Sequence, residues 1–321
     1  MTAINVGQLV ATTLRRRLPN LYDNVSDNVA LYNYLKKRGN MKFDSGRDIL
    51  VPLEYAHASL QWYSGYEALN ISPTDIIDAA TFDWKFAAIP VSMSGEERLK
   101  NAGEMGLKKL AKSKVKNAEK GFVNGLGAAV YSDGTGNSGK EIGGVQLLVS
   151  TSPSSGTVGG IAASNTFWQN QYFDASTYLG AAVTKDNVRQ AMAHMSILCT
   201  RNNEMTDLIL ADNTTFEHYW NSMQAIQRVS NEEGAGKTPW STFKFGRADM
   251  VLDGGQGGNC PANTSYWLNT DYIALVGHSD RDIEIVGGQR MSVNQDADVQ
   301  LLMWAGNLVL MNRALQGVMV L

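Results

Sequence analysis

Residues 60–95 read LQWYSGYEALNISPTDIIDAATFDWKFAAIPVSMSG, and residues 94–131 read SGEERLKNAGEMGLKKLAKSKVKNAEKGFVNGLGAAVY. The first stretch carries Trp62, Tyr63, Tyr66, Phe82, Trp84 and Phe86 but neither Cys nor His. A catalytic segment would hide such aromatics in a core, whereas a binding segment shows them to a partner. Ile49, Val51, Leu53 and Tyr55 recur at period two, as do Phe82, Trp84 and Phe86, which predicts strands with those three aromatics on one face. After Ala87 and Ala88 the apolar set moves to Ile89, Val91 and Met93, on the opposite parity. That change predicts a bulge or a strand passing between two packing surfaces. SGYEALNISPTD in the middle is turn chemistry and reads as a broad tip. The whole is a long two-stranded arm, and an isolated ribbon is marginally stable in water, so it must lie on something.

The second stretch is helical. Ser94 can cap it, with Glu96 and Glu97 in the first turn where the helix dipole favours acids. Leu99, Met105, Leu110, Val115, Phe122, Leu126 and Val130 keep the helical period. An unbroken helix over 94–131 would run roughly 55 Å. Lys108, Lys112, Lys116 and Lys120 form an i, i+4 stripe of like charges, which repel slightly. Such a stripe is either a solvated face or one that meets a polyanion.

Around these two segments the chain is that of a folded soluble protein of 321 residues, 44% hydrophobic and 18% charged, long enough for one large domain or two ordinary ones. The net charge of −3 does not mark the whole chain as a nucleic-acid or membrane binder. Residues 1–47 nevertheless hold eight of the 28 Lys and Arg but three of the 31 Asp and Glu, so a basic arm precedes an acidic body. In MTAINVGQLVATTLRRRLP the charges follow the apolar residues, unlike a signal peptide, and no run reaches the ~20 apolar residues of a membrane span. The expected compartment is the cytoplasm of the host cell. NVALYNYLKKRG places Leu31, Tyr34 and Leu35 on one helix face, ended by Gly39, and reads as a small docking helix of an arm, not as a core unit.

Past the long helix, Gly and Ser dominate residues 132–160 around GGVQLLVS, which reads as a short strand. Residues 184–199 form an amphipathic helix with Val188, Ala191, Met192, Met195 and Leu198 inward. TDLILA is a buried strand, and Asp212 or Asn213 caps a second helix with Phe216, Tyr219, Trp220, Met223 and Ile226 inward. YWLN, YIALVG, DIEIVGG and VQLLMWAGNLVLMN are closing strands.

Candidates for chemistry are weak. GTGNSGKE at 134–141 matches G-x-x-x-x-G-K but places Glu141 where Ser or Thr must hold magnesium, and a carboxylate there repels phosphate. It also follows a helix, whereas a phosphate loop precedes one, so Lys140 reads as an ordinary loop lysine. His57, His194, His218 and His278 share no metal spacing with one another or with Cys199 and Cys260, which read as two buried thiols. Asp280, Asp282 and Glu284 alternate on one strand face and could meet a cation, but so do ordinary exposed strand edges. No catalytic set, metal site or cofactor is predicted.

The order of elements resembles a tailed-phage major capsid protein of the Hong Kong 97-type fold. The phrases LYDNVSDNVALYNYLKKRG, YSGYEALNISPTDIIDAATFDWK and KEIGGVQLLVSTSPSSGTVGGI resemble a branch of those proteins. The resemblance covers nearly the whole chain. It implies an α+β fold in which residues 1–40 are an N-arm and 41–94 an extended β-hairpin, the E-loop. Residues 95–182 and 281–312 would form a P-domain on a spine helix at 94–131, and 183–280 with 313–321 an axial A-domain. It also implies a non-enzymatic subunit that self-assembles as hexamers and pentamers into an icosahedral shell around double-stranded DNA. Portal, scaffold and decoration proteins would be further partners, no membrane would be involved, and assembly would occur in the host bacterial cytoplasm. On this reading Trp62, Tyr63, Tyr66, Phe82, Trp84 and Phe86 contact neighbouring subunits. Arg15, Arg16, Arg17, Lys108, Lys112, Lys116 and Lys120 would face the lumen and DNA. An encapsulin-like nanocompartment shell is the alternative, and a nucleotide-binding enzyme built on GTGNSGKE the remote one.

Overall fold

The computed structural model describes residues 30–72, 75–100, 104–224, 242–254, 258–281, 284–285, 290–291 and 295–321. Arg15, Arg16, Arg17, Asp282 and Ile226 lie outside these residues, as do the side chains of Lys108 and Glu284.

Helix α1 (Ala30–Arg38) is core, contrary to its reading as a docking helix of an arm. Leu31, Tyr32 and Leu35 are buried in the main apolar cluster. Polar bonds seal the same helix: Arg38 Nη1 lies 2.9 Å from both Asp207 and Asp271, and the Tyr34 hydroxyl donates to the Asp207 carbonyl at 3.1 Å. Asp207 is buried and takes two further bonds from Thr270, through its hydroxyl at 2.6 Å and its N–H at 2.9 Å. The chain continues into β1 (Met41–Asp44), which pairs parallel with β12 (Ile273–His278).

Two strands, β2 (Ile49–Glu54) and β3 (Ile77–Phe82), make a separate antiparallel hairpin. Strand β4 (Lys85–Ser94) then joins a six-stranded sheet organised by β15 (Ala297–Leu310), whose 14 residues make it the longest strand described. On one side β15 pairs with all ten residues of β4; on the other it meets β12, then β13 (Glu284–Ile285) and β14 (Arg290–Met291). The parity change expected near Ala87 falls earlier, at Asp83 and Trp84, where the chain leaves one sheet for the other.

Ser94 ends β4 and begins α2 (Gly95–Lys100). The turn is a reciprocal capping box: the Ser94 hydroxyl accepts the Glu97 N–H at 3.2 Å, and the Glu97 carboxylate accepts the Ser94 N–H at 3.1 Å. Lys114 donates to that carboxylate at 2.6 Å, and this bond leads the effects that hold it below the usual glutamate range. Helix α3 (Glu104–Val130) has 27 residues and runs about 40 Å. Residues 101–103 lie outside the described residues, so the expected run over 94–131 is seen as two helices. Val91 and Met93 of β4 pack against Ala111, Val115 and Ala118 of α3.

The run read as the strand GGVQLLVS is a helical turn at Val145–Leu148 instead. Both Leu147 and Leu148 donate to the Gly144 carbonyl at 3.1 Å. A Cβ at Gly144 would lie 2.4 Å from the Val130 carbonyl oxygen, so the chain crosses the end of α3 where only glycine fits.

A second six-stranded sheet has the order β7 (Gln171–Asp174), β16 (Gly317–Val320), β11 (Thr264–Leu268), β8 (Leu208–Ala211), β10 (Ala248–Leu252), β9 (Thr242–Phe245). Its sides are split by period two. Leu208, Leu210, Tyr266, Leu268, Val251 and Val318 face the main cluster. Ile209, Ala211, Trp267, Met250 and Met319 face a second cluster, which holds Met192 and Met195 of α5 (Val188–Leu198) and Phe216 and Tyr219 of α6 (Asn213–Gln224). Burial on both faces explains the uninterrupted apolar runs of these strands. Asp212 caps α6 by accepting the Thr215 N–H at 2.9 Å. Leu198 and Trp220, expected inward, are partly exposed at the rims of these helices. A short helix, α4 (Ala175–Leu179), follows β7 and is capped by Asp174.

Candidate interaction surface

The hairpin β2–β3 buries Ile49, Val51, Leu53, Ala80 and Phe82 and turns Leu50, Pro52 and Glu54 outward. Its buried face rests on a small hairpin of the same chain, β5 (Thr157–Val158) and β6 (Ile161–Ala162), through Val158 and Ile161. Thr81 N–H donates to the Gly159 carbonyl at 2.9 Å, and Tyr55 stacks on Phe167 at 4.9 Å between centroids. Gly159 sits at φ +60°, and a Cβ there would lie 3.0 Å from both Ala80 and the Phe82 ring. Gly159→Val is therefore expected to cost about 1–3 kcal/mol, from overpacking and a strained backbone. Thermal unfolding of the variant measures this, and an unchanged midpoint would mean that the hairpin root does not need the contact.

Beyond the Tyr55 N–H bond to the Ile76 carbonyl the ladder stops. The tip is ordered by its own polar bonds instead. Gln61 clamps Asn70 in both directions, donating to its carbonyl at 2.7 Å and accepting its N–H at 2.8 Å. Glu67 accepts the Ser64 N–H at 3.1 Å across the turn. The apolar side chains are left facing out: Trp62 is 88% exposed, Ile71 91% and Tyr66 entirely, with Leu60, Tyr63 and Leu69 also exposed. The loop thus uses its polar groups for its own shape and leaves a contiguous set of large apolar side chains on its surface.

The six predicted contact aromatics divide. Trp62, Tyr63 and Tyr66 are on this displayed tip. Phe82 is buried, 7% exposed, so it packs on its own chain and is not available to a neighbour. Trp84 is half-buried, donating from Nε1 to the Gly46 carbonyl at 3.1 Å with its ring edge-on to His278. Phe86 is 64% exposed, with Arg281 over its ring at 5.9 Å. The three do not share a strand face, because β3 ends at Phe82 and β4 begins at Lys85. Asn307 fixes that corner by donating from Nδ2 to the Asp83 carbonyl at 2.8 Å. On α3, Lys112, Lys116 and Lys120 are all exposed.

The loop GTGNSGKE is closed on itself by Glu141. Glu141 folds back to accept the Ser132 hydroxyl at 3.0 Å and Asn137 Nδ2 at 2.6 Å. Its carboxylate lies over Gly136, where a Cβ would be 2.3 Å from Oε2. Asn137 and Ser138 turn left-handed, at φ 50° and 61°, so the residues of the motif themselves do not open a right-handed helix. Cys199 is buried and its thiol is pushed up to about 12 by desolvation; Cys260 is pushed up further for the same reason. Neither is a poised thiolate. Among the described residues no three His, Cys, Asp or Glu side chains are grouped to hold a metal ion, and no helix is long and apolar enough to cross a membrane.

No protein-family profile matches the chain, and no curated protein does. Solved structures do. A chain of the cyanophage A-1(L) capsid asymmetric unit aligns with a TM-score of 0.61 at 14% identity, covering 88% of this chain and 90% of its own. A chain from the capsid of an empty GTA particle aligns at 0.54 and 10% identity, covering 88% and 87%. A chain of Mycobacterium phage Bobi aligns at 0.51 and 14% identity, covering 88% and 89%. What is shared at these identities is the fold.

Proposed function

We propose that this chain, whose fold is the Hong Kong 97-type fold of phage capsid proteins, is the major capsid protein of a tailed phage. It self-assembles as hexamers and pentamers into an icosahedral shell around double-stranded DNA. The observation that carries this reading is the arm tip, whose six exposed large apolar side chains no described part of the chain covers. Each aromatic among them can bury ~150–250 Å² on a neighbour. An arm of this kind reaches its stable state in the shell, where several neighbours share the contact and each contact stays weak enough to correct errors. Arg15, Arg16 and Arg17 would supply sequence-independent attraction to packaged DNA. The exposed lysines of α3 present a cationic face to a polyanion. Portal, scaffold and decoration proteins are the expected further partners.

The purified protein, co-expressed with a scaffold, is expected to give closed shells or capsomer rings in electron micrographs and fast-sedimenting species. A chain that stays monomeric at high concentration with scaffold present overturns the proposal. Shells that protect protein cargo in place of nuclease-resistant DNA would point to a nanocompartment.

A further inference from the structure

We propose that strand β4 pairs edge to edge with β4 of a second copy, antiparallel and about a two-fold axis at Ala87. The inference rests on the reading of the chain as a self-assembling shell subunit and assigns one contact between its copies.

The direction of the backbone groups carries the argument. In an antiparallel ladder alternate residues turn their N–H and C=O toward the partner strand, and the others turn them away. β4 is paired on one side only, with β15. Ser92 turns its carbonyl away from β15, where Lys114 Nζ donates to it at 2.8 Å, and the Ser94 N–H goes to Glu97 at 3.1 Å. The ladder itself gives the same parity: Ala305, which stands opposite Phe86, donates its N–H to the Arg281 carbonyl at 3.0 Å, on the side of β15 away from β4. The even-numbered residues from Phe86 to Ser94 therefore address the free edge.

That edge is closed over one half and open over the other. Pro90 has no N–H to offer, Lys114 holds the Ser92 carbonyl, and the capping box takes the Ser94 N–H. Proline, lysine and covered backbone groups are the devices that keep a sheet edge from pairing. Phe86 and Ala88 have none of them. No described residue bonds their N–H or C=O groups, and both are exposed, as is Ala87 between them.

The open half is complementary to itself. With Ala87 on the axis, Phe86 of each copy stands opposite Ala88 of the other and exchanges two hydrogen bonds with it, four in all. A large ring then lies beside a small side chain at both positions. Lys85 stands opposite Ile89, which keeps the two lysines more than about 13 Å apart. A slip of two residues one way would put Pro90, which cannot donate, opposite Phe86. A slip the other way runs past the start of β4 at Lys85. Residues 85–89 also line a cleft of about 1220 Å³ between β4, the C-terminal half of α3 and the loop 132–141. The face on which a second strand would set Lys85, Ala87 and Ile89 is therefore open. Four hydrogen bonds and a pair of rings fall well short of the ~1,200 Å² of a stable dimer, so the contact forms where other contacts already gather the copies.

The test uses the parity. The Ala88 N–H faces the edge, so Ala88→Pro leaves the β15 ladder whole, and the unassembled subunit should unfold at the wild-type midpoint. Two of the four bonds go and the ring enters the second strand's space, so the protein concentration needed for assembly should rise about tenfold or more. Ala87→Pro is the control: its N–H faces β15, and the midpoint should fall. In the paired strands the two Ala87 Cα atoms lie about 4.5 Å apart, within disulfide range, whereas the two Ala88 Cα atoms lie about 8 Å apart, beyond it. Oxidised particles of Ala87→Cys should run as covalent dimers in non-reducing electrophoresis, and those of Ala88→Cys should not. An Ala88→Pro subunit with a lowered midpoint would show that the edge is used within its own chain. Assembly of that variant at the wild-type concentration, or intact Ala87→Cys particles without the dimer, would show that the edge stays unpaired; any of these overturns the inference. A wild type that forms no particles overturns the shell reading and this one with it, and is recognised before any variant is compared.

Discussion

A protein carrying Trp62→Ala with Tyr66→Ala is expected to fold as wild type does and to fail to assemble. Both side chains are exposed and no described residue covers them, so removing them takes no core contact away. The tip keeps its shape, because the Gln61–Asn70 clamp and the Ser64–Glu67 turn use other atoms. In an interface, Trp and Tyr are the favoured hot-spot residues, at about 2 kcal/mol or more each. Losing both should weaken each arm contact by roughly 4 kcal/mol, about a thousandfold in association. Sedimentation and electron microscopy read assembly, and thermal unfolding reads the fold. Phe82→Ala supplies the opposite pattern: its ring is buried at the arm root, and the expected loss is about 3–5 kcal/mol of fold stability. If the double tip variant unfolds the subunit, or assembles at wild-type yield, the tip is not the anchor.

The root and the tip of the arm also mark where sequence reasoning reaches its limit. Period-two patterning finds Ile49, Val51 and Leu53, and unbroken apolar runs find the buried strand LILA and the long closing strand, because in each case neighbouring residues alone carry the signal. The Ser94–Glu97 capping box is legible for the same reason, since both partners lie within four residues. The corner at Asp83 is not. Phe82, Trp84 and Phe86 look like one strand until Asn307, 224 positions away from Asp83, takes the Asp83 carbonyl and turns the chain into another sheet. VQLL fails differently: four apolar residues suit a strand or a helical turn, and the bonds to the Gly144 carbonyl decide it. α1 was legible as a helix but not as core, because its seal is Asp207, far along the chain. The exposure of the aromatic tip was legible because no local pattern asks for its burial, whereas the inward turn of Lys114 was not, because its partner Glu97 lies 17 positions earlier.

An equally large expected loss of fold stability lies at a residue whose neighbours in the sequence give no reason to notice it. Arg313, in the ordinary run MNRALQG between β15 and β16, is completely buried. Its Nε donates to the Leu148 carbonyl at 2.8 Å, and Nη1 donates to the Trp168 carbonyl at 2.9 Å and more weakly to that of Pro153 at 3.4 Å. No carboxylate pairs with it among the described residues, and burial pulls the guanidinium down to about 10. It therefore remains charged at neutral pH and is held by carbonyl dipoles. Those carbonyls belong to the segment that carries β5 and β6, the platform under the arm root. One side chain thus ties the connection between the two sheets to the segment under the hairpin root. Arg313→Ala removes the donors, orphans the carbonyls and leaves a cavity, and should cost about 3–5 kcal/mol. Arg313→Lys should recover little, because an ammonium cannot reproduce the planar fork. The pH dependence has a definite sign. A folded value below the unfolded one means that the charged form opposes folding, and this penalty lifts only as pH rises through about 10. Between pH 7 and 9 this group should leave stability unchanged. Denaturant unfolding of the two variants, with proteolysis at the arm as a second reading, tests the brace. A loss under about 1 kcal/mol for Arg313→Ala, comparable to an exposed substitution, would show that the platform is held by its own packing.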